Sequence, residues 1–84
     1  MYKVLIERQA QKQLAKIEGA AYSRLKSAIL QLSDNPRPFG YKKLKARDAF
    51  RIREGNYRVI YEIKDKVLTV IVITIGHRKD IYKF

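Results

Sequence analysis

The sequence predicts an α+β fold in which an N-terminal strand and a hairpin of two helices precede a three-strand antiparallel meander. Apolar side chains recur at every second position along Phe50–Glu54 and Asn56–Lys64, as they do on one face of a strand. Earlier in the chain they recur at spacings of three and four, which is typical of one helix face. Because the helices precede the strands rather than alternate with them, the order favours one sheet with both helices packed on one of its faces.

The N-terminal part of the chain is expected to form a short strand, Tyr2–Ile6, followed by the helix hairpin. The first helix is predicted by an apolar stripe made of Ala10, Leu14 and Ile17. Gly19 interrupts this stripe, and a second helix is expected over about Ala20–Ser33. That helix ends before Pro36, because proline lacks a backbone N–H and disfavours helical backbone in the residue before it.

The meander is predicted from three strands, Phe50–Glu54, Asn56–Lys64 and Val67–Ile75. A short turn over residues 54–56 joins the first two strands, since glycine and asparagine tolerate positive φ. Residues 64–66 turn the second strand into the third. The third strand is apolar on both faces, which indicates an interior strand covered on both sides.

Length and charge limit the functions that this chain can have. A chain of 84 residues suffices for one modest core, and we expect residues 1–84 to form a single domain. The net charge of +11 points to a polyanionic partner, such as nucleic acid, the ribosome or an acidic protein. A basic surface that serves only solubility is the alternative interpretation.

Several kinds of site and location are disfavoured by composition. The chain has no cysteine, which excludes disulfides and thiolate zinc sites, and its single histidine argues against a histidine-based metal site. We therefore expect no metal and no cofactor. The longest apolar run, Val67–Ile75, is too short to span a membrane, and the N-terminus shows no signal peptide. A cytoplasmic protein without a membrane partner is expected.

Arginines gather on one face of the predicted β-hairpin. Arg51 and Arg53 lie opposite the apolar face of the first strand, and Arg58 lies opposite the apolar face of the second. A two-residue loop at 54–55 would place Arg51 across from Arg58, and one at 55–56 would place Arg53 there. Like charges in that position repel by ~0.2–1 kcal/mol, a cost that a bound anion relieves. A three-residue loop would weaken this argument. The face is predicted to be an anion site, with RNA as the expected anion.

The segment Phe39–Asp48 is expected to be a loop rich in basic side chains, namely Lys42, Lys43, Lys45 and Arg47. Two interpretations of these residues stay open. One is a solvated run of charges, and the other is a set of contacts with RNA, including ribosomal RNA.

Two motifs follow one another in the second half of the chain. The pattern Gly-x-Tyr-Arg-x-x-Tyr begins at Gly55, and the pattern Gly-His-Arg-x-x-x-Tyr begins at Gly76 and ends at Tyr82. With both motifs in a short basic chain of this strand pattern, the sequence resembles the RelE/ParE toxin superfamily. Within it, the likeness is closest to the RelE-like mRNA interferases of type II toxin–antitoxin systems, and it covers nearly the whole chain.

The resemblance implies a metal-free endoribonuclease that cleaves mRNA in the ribosomal A site. In this family the ribose 2′-OH attacks the adjacent phosphate, leaving a 2′,3′-cyclic phosphate and a 5′-OH. The implied partners are mRNA, the ribosome with its 16S rRNA, and an acidic RelB-like antitoxin that holds the toxin inactive in a hetero-oligomer. Two rival hypotheses are a ParE-type inhibitor of DNA gyrase without catalysis and a passive RNA- or ribosome-binding module.

The resemblance also implies which residues form the site. The family's functional positions match Arg51, Arg53, Arg58, Arg78 and Tyr82. The planar guanidinium forks of Arg58 and Arg78 suit the charge of a pentavalent phosphorane, and Tyr82 suits stacking on a base or passing a proton. Some relatives carry lysines in place of Arg51 and Arg53. Because arginine does not release its proton, the identity of the general base stays open.

His77 is a further catalytic candidate, since it is the one side chain here that normally titrates near neutrality. The surrounding arginines are expected to keep it neutral and able to accept a proton. Strand alternation is the competing consideration, because it turns His77 away from Arg78.

Overall fold

The computed structural model describes residues 1–77. In chain order its elements are β1 (Lys3–Ile6), α1 (Arg8–Ala15), α2 (Gly19–Gln31), β2 (Lys42–Lys43), β3 (Phe50–Glu54), β4 (Tyr57–Lys64) and β5 (Thr69–His77), with a 3₁₀ turn at Asp65–Val67. The predicted α+β class is confirmed, because a strand, two helices and an antiparallel meander follow one another in the expected order.

The sheet has five strands in the order β1-β5-β4-β3-β2. Strands β3, β4 and β5 form the predicted meander, each antiparallel to the next. Strand β1 pairs in parallel with the first part of β5, from Lys3 opposite Thr69 to Ile6 opposite Val72. This pairing places β5 inside the sheet, in agreement with its apolar character on both faces.

The other edge of the sheet differs from the prediction. Lys42 and Lys43, expected in a loop, form β2 and pair with Arg51 and Phe50 of β3. Two exposed lysines carry no apolar alternation, so the residue pattern does not signal a strand, and backbone pairing alone defines it. Within residues 1–77, β2 leaves β3 without a neighbouring strand on that side from Ile52 onward.

Both helices pack on one face of the sheet and form the main core with it. The buried members are Ala10 and Leu14 of α1, Leu25 and Ile29 of α2, Leu32, and Ile52, Val59, Tyr61, Val70, Val72 and Ile75 of the sheet. The hydroxyl of the fully buried Tyr61 donates to the carbonyl of Pro36 over 2.7 Å, which ties the chain after α2 to the sheet. Because full burial of one leucine or isoleucine stabilises by roughly 1.5–3 kcal/mol, this layer supplies most of the driving force for folding.

Element boundaries shift slightly from the prediction. Helix α1 ends before Ile17, which still packs against the core, and α2 spans Gly19–Gln31. Strand β5 begins only at Thr69, because the 3₁₀ turn and Leu68, with a φ of 46°, come first. In the described part of the chain neither helix is long and apolar enough to cross a membrane.

The face of the sheet away from the helices is only partly covered. At its centre Ala49 and Ile60 are buried, and Leu44 packs against them. We call this side the outer face, and it carries Arg51, Arg53 and Arg58 beside Ile60.

Candidate anion site

The turn between β3 and β4 decides which arginines face each other. It consists of Gly55 and Asn56, and Gly55 has a φ of 62°, which side chains other than glycine rarely adopt. Of the two registers left open, this turn selects the one that places Arg53 opposite Arg58. The pair that flanks the turn exchanges hydrogen bonds, so the next pair is a non-hydrogen-bonded one, with Cα atoms about 4.5 Å apart. Two guanidinium side chains therefore leave the sheet side by side.

Arg51 completes a group of three arginines on the outer face. It precedes Arg53 by two residues on β3, so both side chains leave the same face. Arg51 and Arg58 are 6% and 3% exposed, whereas Arg53 is exposed. Within residues 1–77 no carboxylate lies within 4.0 Å of the guanidinium of Arg51 or Arg53. We call Arg51, Arg53 and Arg58 the arginine cluster.

The carboxylates on neighbouring strand positions are paired with other cations. Glu54 lies 3.9 Å from Arg24, and Glu62 lies 3.8 Å from Arg47 and 3.4 Å from Lys64. Positive charge taken out of water is costly unless an anion compensates it. An arginine fork presents two parallel donors that match two oxygens of one phosphate. Arg51 and Arg53 are therefore suited to hold a phosphodiester.

A bulge in β5 shapes the neighbourhood of Arg58. The β4–β5 ladder shifts register between Ile60 and Tyr61, which leaves Ile73 as an extra residue on β5. Beyond the bulge Gly76 lies opposite Arg58. Because glycine has no side chain, the strand position opposite Arg58 carries none. Bulges are common next to active sites, where they re-aim a strand.

Gln13 of α1 is a positioning candidate that sequence reasoning missed. Its side-chain Oε1 accepts hydrogen bonds from the backbone N–H of Ile75 over 2.6 Å and from the hydroxyl of Thr74 over 3.0 Å. Strand β1 pairs with β5 only as far as Val72, so Gln13 replaces a strand partner just beyond the bulge. No sequence signal points to it, because a glutamine on a helix is ordinary and its partner lies 62 residues away.

His77 lies on the other face of the sheet from the arginine cluster. It pairs with Tyr57, whose ring it meets edge-on at 5.7 Å and 81°, and Tyr57 packs against the helix-side core. Arg58 follows Tyr57 on β4 and therefore points to the opposite face. The structure thus does not bring the predicted His77 together with the predicted arginines.

The four basic residues of the segment after α2 occupy different places. Lys42 lies opposite Arg51 and so joins the outer face, whereas Lys43 lies opposite Phe50 and lies 3.6 Å from Asp48. The ion pair between Arg47 and Glu62 brings Arg47 over the outer face, and Lys45 is exposed. Exposed pairs of this kind contribute about 0–1 kcal/mol, so they leave these cations available to a polyanion.

Arg78 and Tyr82, the remaining predicted site residues, lie outside the described residues. Within residues 1–77 no group of three histidine, aspartate or glutamate side chains is arranged to hold a metal ion.

Hydrogen bonds and burial shift the pKa values of three residues that lie away from the arginine cluster, Tyr2, Tyr61 and Asp65. Arg37 donates two hydrogen bonds to Asp65, over 2.8 and 3.3 Å, and these lower the pKa of Asp65. Tyr2 donates to the same carboxylate over 2.6 Å, and the bond raises the pKa of Tyr2. Burial raises the pKa of Tyr61 to about 12. These groups fasten the segment after α2 to the sheet and belong to the framework of the fold.

Comparison with known proteins gives a consistent set of relatives. The family model of the ParE toxin of type II toxin–antitoxin systems, parDE, matches residues 4–82. The mRNA interferase toxin RelE of Escherichia coli K12 is 27% identical over 75 residues, which cover 87% of this chain and 79% of that toxin. Toxin RelG of Mycobacterium tuberculosis is 44% identical over a stretch of 34 residues, which is 40% of this chain and 39% of that toxin.

Solved structures share the fold over nearly the full chain. The RelE–RelB complex from the archaeon Pyrococcus horikoshii OT3 contains a chain that matches with a TM-score of 0.83 and 30% identity, covering 94% of this chain and 97% of that one. The toxin–antitoxin complex RelBE2 of Mycobacterium tuberculosis matches with a TM-score of 0.67 and 26% identity, covering 92% and 98%.

Proposed function

This chain belongs to the RelE/ParE toxins of type II toxin–antitoxin systems, and we propose that it is an endoribonuclease that cleaves mRNA in the ribosomal A site. The relatives support its assignment as the toxin of a RelBE-type toxin–antitoxin system. The observation that supports mRNA cleavage is the arginine cluster, in which Arg53 and Arg58 lie opposite each other beside the buried Arg51.

The proposed reaction is an internal transesterification of RNA. The 2′-oxygen of one ribose loses its proton and bonds to the adjacent phosphorus, and the bond from that phosphorus to the 5′-oxygen of the next nucleotide breaks. The leaving 5′-oxygen takes up a proton, so the products are a 2′,3′-cyclic phosphate and a 5′-OH. Charge accumulates on the phosphorane oxygens, and preorganised cations at that point lower the barrier.

We assign Arg58 and Arg53 to the phosphorane oxygens, because they are the pair that the strand register places side by side. Arg51 strengthens the positive field from the same face, and Arg78 of the second motif is proposed as a further phosphate ligand. None of these arginines is suited to accept the 2′-OH proton, since guanidinium stays protonated. Tyr82 is proposed to stack on a base or to pass a proton.

The proposed partners follow from charge and from the relatives. The net charge of +11 suits the mRNA and the 16S rRNA that surround an A site, with Lys42, Lys43 and Lys45 as contacts. Relatives of known structure are held in complexes with RelB. We propose that an acidic RelB-like antitoxin covers the arginine face of this chain in the same type of hetero-oligomer.

Inhibition of DNA gyrase is the second candidate function, because the matching family model is that of ParE toxins. Induced expression of this chain in cells distinguishes mRNA cleavage from gyrase inhibition. An immediate stop in protein synthesis supports mRNA cleavage, and DNA damage signalling without that stop supports gyrase inhibition.

Cleavage of mRNA on translating ribosomes tests the proposed reaction. We expect Arg58→Ala to lower the cleavage rate at least about 100-fold, because one preorganised electrostatic contact to a transition state is worth that much. Lys66→Ala, which removes an exposed cation at the far end of β4, is the control and should cleave as the wild type does. Undiminished cleavage by Arg58→Ala would remove the arginine cluster from the reaction.

A further inference from the structure

Phe39 stands out as the most exposed large apolar side chain among the described residues, at 106% of its reference area. It lies at the rim of a cleft of about 390 Å³, whose walls come from α2, from residues 38–42 and from β3. A single exposed apolar residue is not unusual in itself. The backbone around Phe39 and the charged residues next to it indicate that this side chain binds a ligand.

Hydrogen bonds within the turn that carries Phe39, and contacts just before it, hold the backbone in place. The N–H of Tyr41 donates to the carbonyl of Pro38 over 3.0 Å, and Gly40 has a φ of 89°, as position three of a type II turn requires. Just before the turn, Tyr61 bonds the carbonyl of Pro36, and Arg37 is fastened to Asp65. The phenyl ring therefore projects from ordered backbone, so a ligand that stacks on it need not order the loop first.

The cleft beside Phe39 continues to the arginine cluster. Four consecutive residues of β3, Arg51 to Glu54, line it. Because successive side chains leave opposite faces of a strand, a cleft lined by all four runs along the edge of β3. That edge has no neighbouring strand within residues 1–77 beyond the pairing of Arg51 with Lys42. Arg53 thus belongs both to this cleft and to the pair that faces the proposed scissile phosphate.

Charge in the cleft favours an anionic ligand. Three cationic residues line it, Lys42, Arg51 and Arg53, against one acidic residue, Glu54, which pairs with Arg24. An exposed aromatic face next to a row of cations is the arrangement with which proteins bind single-stranded nucleic acid. An acidic peptide would use the cations but gains nothing specific from an open phenyl face.

We propose that Phe39 is a stacking platform for the base of an RNA nucleotide next to the cleaved phosphodiester, with the sugar–phosphate backbone running along the edge of β3. This inference rests on the proposed ribonuclease function and adds a substrate subsite to it. A base stacked on an aromatic side chain improves binding by roughly 5- to 150-fold, so Phe39 sets RNA affinity rather than the chemical step.

A tryptophan reporter tests the subsite directly, because the chain has no tryptophan of its own. Phe39→Trp is titrated with a single-stranded 2′-O-methyl oligonucleotide, which binds but lacks the attacking hydroxyl. We expect saturable quenching of the fluorescence as a base stacks on the indole. Leu30→Trp, at an exposed position of α2 outside the cleft, is the matched control and should show no saturable quenching. Equal responses from both variants, or none from Phe39→Trp, would overturn the subsite.

Cleavage kinetics separate the subsite from the nuclease function. Phe39→Leu should raise KM roughly 5- to 150-fold with kcat little changed, and Phe39→Tyr should keep the wild-type KM. If Arg58→Ala abolishes cleavage but Phe39→Leu leaves KM unchanged, the subsite is wrong and the nuclease proposal stands. If RNA quenches Phe39→Trp but the wild type does not cleave, the nuclease proposal is wrong, and Phe39 stacks on RNA that the protein binds without cleaving it. A response of Phe39→Trp to an acidic antitoxin peptide and not to RNA would make this cleft a protein-binding surface and overturn the proposal.

Discussion

Neutralising Arg53 is expected to stabilise the free protein and to weaken the binding of phosphate groups by the protein. The substitution Arg53→Gln removes one of the two guanidinium groups that face each other across the β3–β4 ladder. Like charges in directly opposed strand positions cost ~0.2–1 kcal/mol, and solvent screening at the exposed Arg53 favours the lower half of that range. Since 1 kcal/mol corresponds to about 4–8 °C in a domain of this size, Tm should rise by roughly 1–4 °C at low salt.

The assay is thermal unfolding followed by circular dichroism, with and without inorganic pyrophosphate at matched ionic strength. An anion that binds only the folded state raises Tm, so the wild type should gain more from pyrophosphate than Arg53→Gln does. Lys66→Gln is the control, because Lys66 is exposed beyond the far end of β4. It should gain as much as the wild type. A lower Tm for Arg53→Gln, or equal gains from pyrophosphate in all three proteins, would refute the reasoning.

Three other changes test the framework around the site. Gln13→Leu removes the acceptor for the N–H of Ile75 and should slow RNA cleavage about 10- to 100-fold, whereas Gln13→Glu, which keeps an acceptor, should cleave at nearly the wild-type rate. Tyr61→Phe leaves the carbonyl of Pro36 without its donor and should cost roughly 1–3 kcal/mol in urea unfolding. Because the folded-state pKa of Tyr61 is raised from 10.0 to about 12, wild-type stability should fall as pH rises through that range, and Tyr61→Phe should lack this loss. The pKa of Asp65 is lowered below 3.8 in the folded state, so its contribution should vanish as pH falls through that lowered value, and Asp65→Asn should show a flatter acid limb in stability measured against pH.

The meander and the arginine face could be predicted because strand alternation is a local property. Side chains at every second position of β3 and β4 share a face whatever the partner strand is, so the sequence alone places Arg51, Arg53 and Arg58 on one side. The pairing itself depended on the position of one turn. Two positions of a two-residue loop agreed with the residues at 54–56, and only the structure, with its pairing of Arg53 with Arg58, distinguishes them.

The features that escaped prediction depend on contacts distant in sequence. Strand β2 consists of two lysines that lack any apolar signal, and β1 finds its parallel partner across the whole chain. The bulge at Ile73 and its support from Gln13 arise only when α1 meets β5. Burial of Arg51 and Arg58 was not predicted either, because strand alternation gives the face from which a side chain leaves and not what covers that face.

The structure of the protein bound to a single-stranded RNA whose 2′-OH groups are methylated tests the central claim most directly. We predict that one phosphate lies within hydrogen-bond distance, about 2.7–3.2 Å, of the guanidinium groups of both Arg53 and Arg58. An RNA bound elsewhere, with no phosphate oxygen reaching either guanidinium, would contradict the account.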